Sequence, residues 1–171
     1  MKPPLRLLLS GLLGLFGLFT AAAAVAQGTQ GAAPVLQGQT LDGRAFDLER
    51  HRDRVVLVML WRTDCAVCLD KMRELRANAE GWKSAPLDLV LVNMDPTVTD
   101  AATYDRVRRE VTAAAPHLYS LWQGHARVPA DWQAVRRLPV TLVIDRSGRI
   151  AARHEGRVPP DVWNQVADLL P

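Results

Sequence analysis

Three apolar runs organise the chain. Val55-Val56-Leu57-Val58-Met59-Leu60 is unbroken by any polar residue, the mark of a strand buried on both faces. Leu87 to Met94 and Val140 to Ile144 predict two more strands of the same kind. Between the first two, Val67, Leu69, Met72, Leu75 and Ala79 recur at helical spacing with Asp70, Lys71, Arg73 and Arg76 among them, and Gly81 ends the pattern. A second helix is expected from a cap at Thr99 or Asp100 to about Ala114, stopped by Pro116. Leu118 to Leu121 predicts a short strand, and Ala130 to Val135 a short helix introduced by Pro129.

The flanking segments are shorter. Leu41 to Leu48 predicts a hairpin-like unit turning at Asp42-Gly43, followed by a charged connection from His51 to Arg54. Asp145-Arg146-Ser147-Gly148 is a turn, with a return strand over Arg149 to His154. Pro160-Asp161 opens a terminal helix whose apolar stripe is Val162, Trp163, Val166, Leu169 and Leu170. Buried strands alternating with helices predict an α/β domain with helices on both faces of a mixed sheet.

The first residues follow a different logic. Lys2 and Arg6 precede an almost wholly apolar stretch from Leu7 to Phe19, and Ala24-Val25-Ala26 offers a small-residue cleavage site. This predicts a signal peptide over residues 1–26, the alternative being an uncleaved anchor. A flexible lead-in at 27–34 and one domain at 35–171 follow. Loss of the leader takes Lys2 and Arg6 with it and lowers the formal charge from +3 to +1. The sequence pI of 9.2 therefore indicates no nucleic-acid partner.

The chain has two cysteines, Cys65 and Cys68, three residues apart at the predicted start of a helix. A disulfide closing so small a loop constrains little of the unfolded chain, so a purely structural staple explains it poorly. No metal site is expected: zinc needs four ligands, and His51, His117, His125 and His154 show no shared spacing. Leu69 stands where covalent haem attachment needs a histidine. Copper(I) held by the two thiolates stays open.

Trp61-Arg62-Thr63-Asp64-Cys65-Ala66-Val67-Cys68 resembles the active-site segment of thioredoxin-fold proteins, and Leu138-Pro139-Val140-Thr141-Leu142-Val143-Ile144 resembles that fold's cis-proline strand. With the leader, the Leu41-Asp42-Gly43 lead-in and the extra helix before the cis-proline strand, the chain is similar to the TlpA/ResA-like thiol-disulfide oxidoreductases of the bacterial cell envelope. The resemblance covers about residues 34 to 170 and implies a thioredoxin-like fold. It also implies dithiol–disulfide exchange without a cofactor, Cys65 attacking and Cys68 resolving. Pro139, with Leu138 and Trp61, would shape the surface where a client disulfide docks.

The resemblance further implies a monomer in the periplasm, acting on protein disulfides and recharged by a membrane thiol donor. Three departures matter. Asp64 replaces the usual tryptophan; it is expected to cap the helix and, as a carboxylate beside Cys65, to oppose the helix dipole and favour a reductase. Val67 replaces a frequent proline, and Met59 stands where thioredoxins carry a buried acid. Asp95, or with less support Glu155, is the candidate to accept the proton that methionine cannot. The competing functions are a disulfide-forming oxidase and a copper-binding or client-binding module on the same fold.

Overall fold

The computed structural model describes residues 33–111 and 117–171. The predicted leader and the expected end of the second helix, from residue 112 to Pro116, lie outside them. Eleven elements follow in order: β1 (Gln37–Thr40), β2 (Ala45–Asp47), β3 (Val55–Trp61), α1 (Ala66–Gly81), β4 (Leu87–Asn93), α2 (Val98–Val111), β5 (Leu118–Arg127), α3 (Ala130–Gln133), β6 (Val140–Ile144), β7 (Ile150–Glu155) and α4 (Val162–Leu169). A 3-10 turn over Leu48–His51 lies between β2 and β3, where a charged connection was expected to begin.

The strands form one mixed sheet in the order β2-β1-β5-β4-β3-β6-β7. β3 sits between parallel β4 and antiparallel β6, which explains its unbroken apolar run: both its edges are paired and both its faces are covered. Val56, Val58 and Leu60 point into one layer with Leu36, Phe46 and Trp132. Val55, Leu57, Met59 and Trp61 point into the other, with Cys68, Met72 and Leu75 of α1 and Val162 and Val166 of α4. The two helices are joined through Glu74, whose Oε1 accepts from Lys71 Nζ at 2.7 Å and from the Trp163 indole at 2.6 Å.

β5 runs six residues beyond the predicted short strand. Leu118 to Trp122 pair with β4, Leu121, Ala126 and Arg127 pair with β1, and the continuation beyond Trp122 is partly or fully exposed. A solvated continuation leaves no apolar signal to read. Gly38 makes that pairing possible, since a Cβ there would stand 2.5 Å from the carbonyl oxygen of His125. The arrangement is the thioredoxin-like α/β fold that the sequence led us to expect, with α2 as the extra helix.

Candidate active site

Parallel strands β3 and β4 end side by side, Trp61 opposite Asn93, and the two chains leaving them build the site. Such carboxyl ends are where an open α/β sheet presents its working groups. From Trp61 the chain crosses to α1 through Arg62, Thr63, Asp64 and Cys65. Cys65, not Asp64, is the helix cap: its backbone is extended (φ −96°, ψ 98°) and its Sγ accepts the Cys68 backbone N–H at 3.2 Å. Asp64 lies one residue too early to reach that amide. It is exposed instead and pairs with Arg62 at 2.8 Å.

Cys65 and Cys68 are joined as a disulfide. The first sulfur belongs to a half-exposed residue, whereas Cys68 is 0% exposed beneath it. The Leu138–Pro139 peptide bond is cis, and Pro139 is buried at the head of β6. Leu138, Cys65, Arg62, Asp64, Gln123 and Arg136 are among the residues around an open groove of about 460 Å³. Val67 is 37% exposed on the same first turn of α1. Cys65, Asp64 and Leu138 thus share the groove, with Cys68 bonded to Cys65 beneath it and Pro139 next to Leu138.

Trp61 does not join them on the surface. It is 3% exposed, because strand alternation turns it into the layer beneath α1, where its ring stacks obliquely on Tyr104 at 4.7 Å. Its expected role in the docking wall is therefore corrected to one of support. Glu155 is not among the residues lining the groove: opposite Val140 on β7, it is exposed and pairs with Arg153 at 3.0 Å.

Asp95 occupies the centre of the supporting structure. Its Oδ1 accepts the Thr63 backbone N–H at 3.1 Å, and its Oδ2 accepts from Thr63 Oγ1 and Asn93 Nδ2, each at 2.9 Å. Arg62 Nε lies 3.7 Å from the same carboxylate. The backbone of Asp95 is held in turn: its N–H donates to Asn93 Oδ1, and its carbonyl accepts from the Trp122 indole at 2.8 Å and from Gln123 at 3.1 Å. Two of its three side-chain hydrogen bonds go to Thr63, on the segment that delivers Cys65, and the third ties it to Asn93 at the end of β4, an arrangement that fixes a loop. The sequence assigned no role at the site to Thr63, Asn93 or Trp122, because they lie far apart along the chain.

A second polar cluster sits at the opposite end of the sheet. Asp88, 1% exposed, accepts from His51 Nδ1 and Arg54 Nε, both at 2.7 Å, with His117 Nδ1 at 3.2 Å. Burial alone would push the Asp88 carboxyl up; the hydrogen bonds and charges of His51 and Arg54 outweigh it and hold the carboxyl below its ordinary value. No group of three or more His, Cys, Asp or Glu among the described residues could hold a metal ion.

The fold has many solved counterparts. A thiol:disulfide interchange protein of the thioredoxin family from Chlorobium tepidum matches with a TM-score of 0.63 at 16% identity, over 84% of this chain and 97% of that one. A DsbF homologue from Corynebacterium diphtheriae gives 0.62 at 21% identity, over 83% and 88%. The exposed lipoprotein thioredoxin Etrx1 of Streptococcus pneumoniae gives 0.59 at 17%, over 79% and 99%. At such identities the likeness is one of fold. No curated protein matches the sequence significantly. A family model described as AhpC/TSA matches residues 29–155.

Proposed function

The chain belongs to the AhpC/TSA family, a family of oxidoreductases, and from that premise we propose that it reduces protein disulfides outside the cytoplasm. The observation that carries the chemistry is the Cys65–Cys68 disulfide, with one sulfur in reach of the groove and the other sealed beneath it. In the reduced protein, the amide at the start of α1 that now bonds Cys65 Sγ favours a thiolate at Cys65. That thiolate attacks a client disulfide, forming one S–S bond and releasing one client sulfur as a thiolate. Cys68 then loses its proton and attacks Cys65, closing the internal disulfide and releasing the second client sulfur.

The reducing direction rests on Asp64. A carboxylate next to Cys65 opposes the pull of the helix terminus, and a less stabilised thiolate makes the dithiol a better electron donor. Arg62 offsets part of this at 2.8 Å, so the balance between the two sets how far the effect goes. Asp95 serves the reaction by holding Thr63, and through it the sulfur, in place. Leu138 lines the groove, with the buried Pro139 next to it in the chain, and the client's backbone lies against that side.

The compartment is argued from the apolar leader at Leu7–Phe19 and from the counterparts named as an exposed lipoprotein and as a thiol:disulfide interchange protein. Among the described residues no helix is long and apolar enough to cross a membrane. In an oxidising compartment the spent disulfide must be reduced again, which calls for a membrane-embedded thiol donor. Clients are envelope proteins with cysteine pairs, met by a monomer.

The test is a redox titration of the domain against glutathione and dithiothreitol. A potential near thioredoxin's, about −270 mV, supports the reductase. A potential near about −120 mV overturns it in favour of an oxidase, and the absence of a reversible couple in favour of a binding module.

A further inference from the structure

Five buried side-chain nitrogen or oxygen atoms among the described residues make no hydrogen bond: Trp61 Nε1, Arg62 Nε, Asp88 Oδ1, Asp105 Oδ2 and Thr141 Oγ1. Three of these still face a partner of opposite or titratable charge. Arg62 Nε is 3.7 Å from Asp95, Asp88 Oδ1 is 3.2 Å from His117, and Asp105 Oδ2 is 2.9 Å from Arg109. The other two, Trp61 and Thr141, have nothing. Both lie on the face of the sheet that packs against α1 and Cys68.

That placement follows from the register. Thr141 is directly opposite Met59 on antiparallel β6, and directly opposed residues share a face. Met59 belongs to the layer of Cys68, Leu75 and Val143, whereas Val140 and Leu142, on either side of Thr141, belong to the opposite layer. Thr141 is 1% exposed. A buried hydroxyl left unpaired is unfavourable, and valine would fill the same space without it. The hydroxyl therefore makes sense if it gains a partner in another state of the protein.

The disulfide is that variable. While Cys65 and Cys68 are bonded to each other, Cys68 Sγ has no hydrogen to give. Reduction adds two electrons and two protons, breaks the S–S bond and leaves Cys68 as a thiol at a residue with no exposure to water. Met59, the side chain opposite Thr141, offers only a weak thioether acceptor.

We infer that Thr141 is a positioning residue for Cys68: its hydroxyl accepts the Cys68 S–H in the dithiol and donates to the Cys68 thiolate as that sulfur attacks Cys65. During this step the Cys68 proton leaves to a solvent base, the Cys68–Cys65 bond forms, and the Cys65–client bond breaks. The client sulfur departs as a thiolate and takes up a proton from solvent. The inference rests on the dithiol–disulfide reading of the site. It adds that the redox pair is balanced by a hydroxyl satisfied only in its reduced form, so Thr141 makes the protein a weaker reductant than an all-apolar face would.

The experiment compares wild type with Thr141→Val and Thr141→Ser. Valine should shift the equilibrium with glutathione about tenfold toward the disulfide, which lowers the potential by about 30 mV, and serine should restore the wild-type value. Melting of the oxidised and of the dithiothreitol-reduced forms is the second measurement. Valine should lower the melting temperature of the reduced form and leave that of the oxidised form unchanged or higher. A purely structural threonine would move both forms together.

A valine variant within threefold of wild type in the equilibrium overturns the inference, and so does a serine variant that shifts as far as valine. Should the wild type show no reversible couple, it is the reductase reading that fails. The two melting curves need no such couple and still decide the role of Thr141.

Discussion

Replacing Asp95 with alanine tests whether the segment before Cys65 is held in place from below. The carboxylate is 2% exposed and accepts three hydrogen bonds, from the Thr63 amide, the Thr63 hydroxyl and Asn93 Nδ2. A hydrogen bond to a charged acceptor contributes roughly 1.5 kcal/mol or more to stability. Three of them exceed 4 kcal/mol, from which the relief of no longer burying a carboxylate must be subtracted. A net loss of about 3 kcal/mol is expected, within the range for breaking a buried charged contact. With a urea dependence of about 1.5 kcal/mol per M, the unfolding midpoint of the oxidised protein should fall by about 2 M.

Asp95→Asn keeps the shape and one acceptor oxygen, so it should lose about half as much. Both variants should also slow the reaction of the reduced protein with a peptide disulfide, because Thr63 no longer holds Cys65 at the groove. Urea unfolding followed by tryptophan fluorescence, beside the rate of peptide reduction, gives the two readouts. A midpoint within 0.5 M of wild type for Asp95→Ala (under about 1 kcal/mol) would refute the assignment. So would normal reduction rates in a variant that is clearly destabilised.

The Asp88 carboxyl, held below the ordinary 3.8, should contribute stability that is complete above that value and disappears as pH falls through its lower folded value. Asp88→Asn should therefore cost about 3 kcal/mol at pH 7 and flatten the acid limb of a stability–pH profile; an unchanged acid limb would count against it. Cys68→Ala should leave Cys65 able to attack but unable to be released, so a mixed disulfide with a client peptide accumulates on a non-reducing gel. If Cys65→Ala traps the peptide equally well, the order of attack is wrong.

What could be read in advance was local. Cys65 and Pro139 stand out because each lies close to an apolar strand, and Cys68 because it follows Cys65 by three residues inside a helical period, all within short windows. The roles that were missed depend on pairs far apart in sequence. Asp95 draws notice as the residue before Pro96, yet its hold on Thr63 spans 32 positions and becomes visible only when β3 and β4 lie in register. His51, Asp88 and His117 show no common spacing because three different segments supply them. Thr141 hides for another reason: threonine suits a strand, so one within an apolar run attracts no question until its hydroxyl is found without a partner. The cap was misassigned because an aspartate is the commoner choice, while here a sulfur takes the position one residue later.

The two polar clusters stand at opposite ends of β3, Asp88 beside Val56 and the Asp95 hub beside Trp61. Five strand steps of about 3.3 Å separate them by roughly 17 Å, and along β3 itself only Leu57, Val58, Met59 and Leu60 stand between. At that distance substitutions combine without influencing each other. The acid sensitivity contributed by Asp88 can therefore be altered at one end without disturbing the loop that holds Cys65 at the other. The same separation gives a protein engineer two independent dials on a single sheet.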